Sequence, residues 1–397
     1  MAAGTIVLPG EPIAVSPAAR DAGFDAKVLR SREALDGLAE GWRLLEGRAS
    51  GATPFQSLAW ARAIFDFEAR RGNAGFDPVI AVLEDAGRLV AVLPLERIAT
   101  AARVVLVPLG NGFTQYADML LETGQDPELA VKQLLAAATR AARCDVVSLL
   151  KVREGSCLAQ GLPATRIETG AAMGAPYVAL NAFADFASYF ATIRTKTRKN
   201  MRNARNRLER EGAVEHHVVP PTERGALIER TLAGRAERLR EQGLTSRAFR
   251  DGGFPDFCIG LAGRDDIDLL AFSLTHKAKP IAEQWGFVHG GRYYAYVAAR
   301  DFSNSDESPG KLQLGEIIRV CSDLGLSGCD LGVPAMPYKM TFATETVPVR
   351  DFALPVTAKG WLVTQAWDVM LRPALKAAML RMPAGLRARI LEMTGGH

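Results

Sequence analysis

The fold is decided by IAEQWGFVHGGRYYAYVA (residues 281–298), followed a few residues later by SPGKLQLGEIIRVCSDLG (308–325). The first stretch holds two strand-like runs, Ile281 to His289 and Arg292 to Ala298, joined by Gly290-Gly291. Two adjacent glycines suit the positive backbone angles of a tight hairpin. In the second stretch Ser308 is a favoured N-cap, Pro309 suits the first helical position, and apolar residues recur at helical spacing until Gly325. Upstream, Ile267 to Leu274 reads as a strand that turns at His276 to Pro280; downstream, Cys329 to Gly332 reads as a short strand. The order is three antiparallel strands, a loop, a helix and a strand.

The same order recurs earlier. Val79 to Leu83 and Leu89 to Leu95 are strands around a Glu84 to Arg88 turn, and Val104 to Leu109 is a third apolar run. Pro127 to Ala142 is helical, and Asp145 to Leu150 is a strand after it. The two helices are offset by about 180 residues, an internal repeat of low identity. The expectation is an α+β protein with two domains of one design, each a mixed, mostly antiparallel sheet flanked by helices. Helices open each half: Phe55 to Arg71 in the first; Phe183 to Ile193, Thr197 to Glu211 and Thr222 to Gln242 in the second. Boundaries are expected at a loose Pro/Gly/Ala-rich arm (1–25), a first domain (26–180), a second (181–355) and a basic, amphipathic helical tail (356–397). The tail carries five basic residues and no acidic one between Arg372 and Leu391.

Composition narrows the class. The 397 residues are 48% hydrophobic and 23% charged, which excludes a largely disordered chain. A net charge of +4 is too small for a general polycation. Five cysteines without a CxxC pair argue against a disulfide framework or a structural zinc site, and no metal is expected. The absence of a signal-peptide pattern and of a long apolar run makes a cytoplasmic location the expectation. HExxH and GxSxG are absent, Gly110-Asn111-Gly112 lacks the rest of a dinucleotide fingerprint, and His216-His217 carries no ligand pattern.

Four features carry chemistry. Ser308-Pro309-Gly310-Lys311-Leu312 opens a helix, where amide groups and the helix dipole favour a phosphate, and Lys311 adds a full charge. The run from Arg194 to Arg210 holds eight basic residues and one acid, with Arg194, Arg198, Arg202 and Arg205 on one helical face and Lys196 nearby. A surface helix usually mixes signs, so this one wants a polyanion, although no aromatics are interleaved for base stacking. Tyr338-Lys339 places a hydroxyl beside an amine, a pair suited to proton donation. Glu283 and Gln284 are polar positions inside an otherwise apolar strand, alternating so that Glu283, Trp285 and Phe287 share a face; such groups need partners or a function. The equivalent of the 308 loop in the first half, Glu122 to Pro127, is acidic, so ligand binding is expected in the second half.

These pieces together resemble a known family. They are Phe55-Gln56-Ser57 with Trp60, the Lys196/Arg198/Asn200/Arg202/Arg205 helix ending in Glu211-Gly212, Gly286-Phe287 with Gly290-Gly291-Arg292-Tyr293-Tyr294, Ser308 to Leu312, and Tyr338-Lys339. Over residues 26–353 the chain is similar to the tandem-GNAT, CelD-like acyltransferases associated with cellulose and exopolysaccharide synthesis, related in design to the FemAB peptidyltransferases. The resemblance implies two tandem GNAT-like domains, the first without a CoA site. It implies acetyl-CoA or another acyl-CoA as co-substrate, with its pyrophosphate on Ser308 to Leu312. Here a Ser-Pro-Gly-Lys form replaces the usual Q/R-x-x-G-x-G/A loop. It implies Tyr338 as the acid, with Glu283, Gln284 or Asp330 as base or acceptor-positioning group, and Lys196, Arg198, Arg202, Arg205 and Lys339 toward an anionic substrate. The implied activity is N-acylation of an amino sugar or polysaccharide precursor, a small-molecule or glycan acceptor. Two alternatives stand beside it: a FemAB-like transferase drawing on aminoacyl-tRNA, and a non-catalytic nucleotide- or membrane-sensing regulator of polysaccharide synthesis. The basic tail is expected to pack on the domain, the alternative being contact with the synthesis machinery or, as an amphipathic helix, with the inner face of the membrane.

Overall fold

The computed structural model describes residues 24–241, 253–300 and 308–381. Most of the expected N-terminal arm, and the tail beyond 381, lie outside the described residues. The strands are β1 (Phe24–Leu29), β2 (Pro78–Asp85), β3 (Arg88–Ala99), β4 (Val104–Pro108), β5 (Leu120–Leu121), β6 (Val146–Arg153), β7 (Ile167–Ala179), β8 (Val214–Val218), β9 (Leu269–His276), β10 (Lys279–His289), β11 (Arg292–Arg300), β12 (Gly328–Asp330) and β13 (Glu345–Pro355). The helices are α1 (Arg32–Gly37), α2 (Ala39–Glu46), α3 (Leu58–Arg70), α4 (Pro127–Ala142), α5 (Cys157–Gly161), α6 (Phe186–Thr192), α7 (Thr195–Glu211), α8 (Arg224–Glu241), α9 (Gly253–Leu261), α10 (Pro309–Asp323), α11 (Pro337–Met340), α12 (Ala358–Val363) and α13 (Arg372–Arg381). The chain divides into two compact units: residues 1–51, 73–171 and 350–377 form the first, and 52–72, 172–349 and 378–397 the second. This differs from contiguous segments 26–180 and 181–355. α3 belongs to the second unit, because Trp60 and Phe67 pack their rings on Phe257 of α9.

In unit 1 the strand order is β1-β2-β3-β4-β6, with the 350–355 half of β13 beside β6. β2, β3 and β4 run antiparallel, and β6 joins β4 in parallel after the α4 crossover. The β2–β3 turn uses Ala86 and Gly87, both at positive φ. The core gathers Val79, Leu93, Leu106, Leu134 and Leu149 between sheet and helices. Asp126 caps α4 through its carboxylate, so this helix start already carries its own negative charge. The helical segment after residue 357 is anchored to the unit where Thr357 donates to Asp145 at 2.9 Å and Arg103 makes a bidentate pair with Asp368.

Unit 2 repeats the plan. Its sheet runs β7-β12-β11-β10-β9-β8. β9, β10 and β11 are antiparallel, and β12 joins β11 in parallel after the α10 crossover. The β10–β11 hairpin turns at Gly290 and Gly291, both at positive φ. The expected alternation holds. Trp285 donates to Thr231 of α8 and Phe287 meets Trp60 of α3, while Gln284 reaches Tyr293, which packs in the core of α6 and α10. α8, α9 and α3 therefore cover one face of the sheet, and α6 and α10 the other. At Trp285/Gly286 the pairing slips by one residue opposite Tyr296, a bulge at the middle of the sheet. No helix among the described residues is long and apolar enough to cross a membrane.

Candidate functional site

The phosphate-type feature and the basic helix meet in unit 2. A cavity of about 250 Å³ is lined by Thr197, Asn200, Asn203 and Arg207 of α7 and by Ser308, Lys311 and Leu312 at the start of α10. The local geometry differs from a plain capped helix. Ser308 stands in the left-handed region (φ 49°, ψ 53°), and its hydroxyl caps nothing. Its carbonyl instead accepts from the amides of Lys311 (2.9 Å) and Leu312 (3.4 Å). Pro309 has no N–H, and neither Pro309 nor Gly310 lines the cavity. The donors expected from backbone amides are thus supplied by side chains: the Lys311 ammonium, the Arg207 guanidinium and the two asparagines. Met201 and Ala204 complete the lining, and six of its nine residues are polar. The set suits a phosphate or pyrophosphate group.

The arginine stripe read from the sequence faces elsewhere. Arg198, Arg202 and Arg205 line a second cavity of about 240 Å³, which Met201 and Leu312 share with the first. Helical geometry explains the split: at ~100° per residue, positions 198, 202 and 205 lie roughly opposite 200, 203 and 207. Arg205 bridges Glu209 (2.8 Å) and Glu316 (2.7 Å). Lys196 is exposed and lines neither cavity.

A second constellation lies where β11 and β12 part. Their pairing ends at Tyr294–Asp330, and β11 continues to Arg300. The chain then turns through Leu331 and Gly332 into α11, which carries Tyr338 and Lys339. Asp330 is buried and accepts from the Gly332 amide at 2.8 Å, and the Lys339 ammonium donates to the Gly332 carbonyl at 2.9 Å. Burial pushes the Lys339 amine down to about 8, with Asp330 opposing and Arg235 adding to the shift. Arg235 of α8 feels both Tyr296 and Tyr338, and it makes no ion pair among the described residues. Glu283 is placed differently. It is buried, and Arg230 of α8 holds both its oxygens at 2.6 and 3.1 Å, so the carboxylate that sequence nominates as a base is already spoken for. Gln284 lies on the opposite sheet face, donating to the Tyr293 hydroxyl at 3.4 Å.

The Lys339 environment gives a pH test. Its folded-state pKa lies below its ordinary 10.5, so between about pH 8 and 10.5 the unfolded chain holds a proton that the folded one has released. Stability therefore rises with pH across that window. Relative to Lys339→Met, wild type is expected to gain unfolding free energy from pH 8 to 10, measured by urea titration at each pH; a flat difference refutes the buried-amine assignment.

Arg235, Tyr296, Asn203 and Arg207 were not singled out by sequence. Arg207 and Asn203 sit in a run (194–210) where every residue but Met201, Ala204 and Leu208 is polar, and Arg235 lies in an ordinary charged helix, so no local signal distinguishes them. Among the described residues no group of three His, Cys, Asp or Glu is placed to hold a metal ion.

Comparison with known proteins bears on this geometry. Residues 195–340, which span α7 to α11, all of the first cavity and most of the second, match the acetyltransferase (GNAT) domain family. No curated protein matches the chain. Among solved structures the chain is similar to FemX, with a TM-score of 0.59 at 10% identity over 83% of this chain and 98% of that one. It is also similar to a conserved protein of unknown function from Bacteroides thetaiotaomicron VPI-5482, with a TM-score of 0.50 at 13% identity over 83% of this chain and 100% of that one. At such identities the likeness concerns the fold. Residues 195–340 of unit 2 thus resemble a GNAT-type acetyltransferase domain, within an α+β chain whose first unit repeats the strand order of the second.

Proposed function

We propose that unit 2 transfers an acyl group from an acyl-CoA, with acetyl-CoA the simplest case, to the amine of an amino sugar or a related surface-polysaccharide precursor. The observation that carries the reading is the cavity joining Lys311 and Ser308 to Asn200, Asn203 and Arg207. It offers two cations and several amide and hydroxyl donors to a pyrophosphate. An acyl-CoA held there supplies a thioester carbonyl. The backbone of β11 beyond Tyr294, released from β12, offers N–H groups toward a developing oxyanion. Tyr338 donates the proton that the leaving sulfur takes up as the C–S bond breaks, Arg235 nearby favours the tyrosinate left behind, and that tyrosinate recovers the proton the acceptor nitrogen loses as the amide forms. Asp330 and Lys339, tied to the same Gly332 turn, orient the acceptor. Glu283 positions α8 through Arg230 and takes no proton.

Thermal unfolding with millimolar acetyl-CoA tests the donor. At 100 times Kd the ligand stabilises by ~2.7 kcal/mol. A clear rise is expected in wild type, and none in Lys311→Glu. If neither acetyl-CoA nor longer acyl-CoAs shift the transition while tRNA binds with a steep salt dependence, the donor is an aminoacyl-tRNA instead. If neither class binds, the fold serves a non-catalytic role.

A further inference from the structure

The second cavity has a construction of its own. Its floor is apolar, with Phe190, Met201, Leu274 and Leu312 among the lining residues. Four arginines, Arg198, Arg202, Arg205 and Arg319, line it against a single carboxylate, Glu316. That carboxylate is already shared by Arg205 and Arg319, each at 2.7 Å. Arg198 and Arg202 are left without an ion-pair partner among the described residues. The Nε of Arg198 is shielded from solvent and has no hydrogen-bond partner, and the same guanidinium reaches only Thr195, at 3.4 Å. Beside the cavity, His216 of β8 pairs with Leu274 and stacks on Phe272; both its ring nitrogens are shielded and unbonded among the described residues. Buried donors without acceptors are costly, and the shielded Arg198 Nε–H, with the unbonded His216 ring beside it, points to an absent acceptor at this apolar hollow.

We propose that this cavity binds a phosphorylated amphiphile: an anionic headgroup on Arg198 and Arg202, and an apolar chain against Phe190, Met201 and Leu274. Neither half of the lining accounts for the other. A site for a bare phosphate has no use for the aromatic and aliphatic floor, and a purely apolar ligand leaves two guanidinium groups unpaired. The chemistry is common to a membrane lipid phosphate and to a soluble acyl or prenyl phosphate. The proposal stands apart from the donor assignment, because Lys311 and Arg207 line only the other cavity.

Isothermal titration of the full chain with octyl phosphate, inorganic phosphate and octanol tests it. Octyl phosphate is expected to bind at least about tenfold more tightly than inorganic phosphate, the effect of burying roughly two methylene groups. Arg202→Glu is expected to weaken octyl phosphate about tenfold or more. Because Arg202 is exposed, this variant folds if any does, and its far-UV spectrum checks that. Phe190→Glu, at a partly exposed position, is expected to remove the advantage of the chain while keeping phosphate binding. Lys311→Glu leaves octyl phosphate binding intact even where it abolishes the response to acetyl-CoA, so the two assignments fail separately. Equal affinity for octyl and inorganic phosphate reduces the site to an anion site and overturns the proposal. So does equal affinity for octanol, or no binding by any of the three. Co-sedimentation with vesicles of phosphatidylglycerol and phosphatidylcholine then separates the sources: capture that Arg202→Glu abolishes assigns a membrane lipid, and octyl phosphate binding without capture assigns a soluble amphiphile.

Discussion

Gly286→Val is expected to destabilise the protein by more than about 3 kcal/mol, enough to remove the folded state of unit 2 at 37 °C. A Cβ at this position would lie 2.1 Å from the Tyr294 carbonyl oxygen, 2.9 Å from its carbonyl carbon and 3.0 Å from the Ala295 Cα. All three obstacles are backbone, so no side-chain rotation relieves them. The site is the slipped pairing of β10 and β11, where the extra residue, Tyr296, is turned toward Trp285 and Phe287. Any side chain at 286 pushes the two strands apart at the bulge, and with them the start of the β11–β12 split. Urea unfolding of Gly286→Val against Gly225→Ala measures it. Gly225 lies in α8 with nothing near its Cβ position, so the control is expected to gain ~0.4–1 kcal/mol. A valine variant within 1 kcal/mol of wild type would show that the bulge is not as drawn.

The second large effect is Trp60→Ala, expected to cost ~3–5 kcal/mol. Trp60 is 1% exposed. It meets Phe55, Phe257 and Phe287 edge-on, with ring centroids 5.0, 5.3 and 5.4 Å away. Edge-to-face pairs contribute ~0.5–1.5 kcal/mol beyond their area, so a cycle with Phe287→Leu should show coupling of that order. The loss should appear in the unfolding midpoint of unit 2. A change below 1 kcal/mol would detach α3 from unit 2.

Sequence made the sheet-forming repeat legible because its punctuation is local. Ala86-Gly87, Gly290-Gly291, Pro127, Pro309 and Gly325 mark ends that no tertiary contact needs to supply. β7 and β13 left no such trace. β7 contains Gly170 and Gly174 and shows no alternation; Gly174 is small because a Cβ there would approach the Thr346 methyl to 2.6 Å. That reason exists only once the fold has brought the two together. The site divides the same way. The basic character of α7 and the distinctive start of α10 are visible in composition. Which face of α7 meets Lys311 is not, since the arginine spacing is the stronger pattern and belongs to the other cavity. Glu283 looks like a free acid because its partner, Arg230, lies 53 residues away in sequence.

The assignment of residues 52–72 to unit 2 and 350–377 to unit 1 has a consequence for how the chain is made. Phe55 and Trp60 leave the ribosome more than a hundred residues before Phe257 and Phe287, the rings they must meet. Until then the apolar face of α3, with Trp60, Ile64 and Phe67, has no lasting home, the situation in which newly made chains call on chaperones. Cutting the gene near residue 180 gives two polypeptides, each missing a piece of its own interior; only their joint synthesis in one cell restores both. Shuffling the halves of this protein between relatives would therefore have to move residues 52–72 along with the second half.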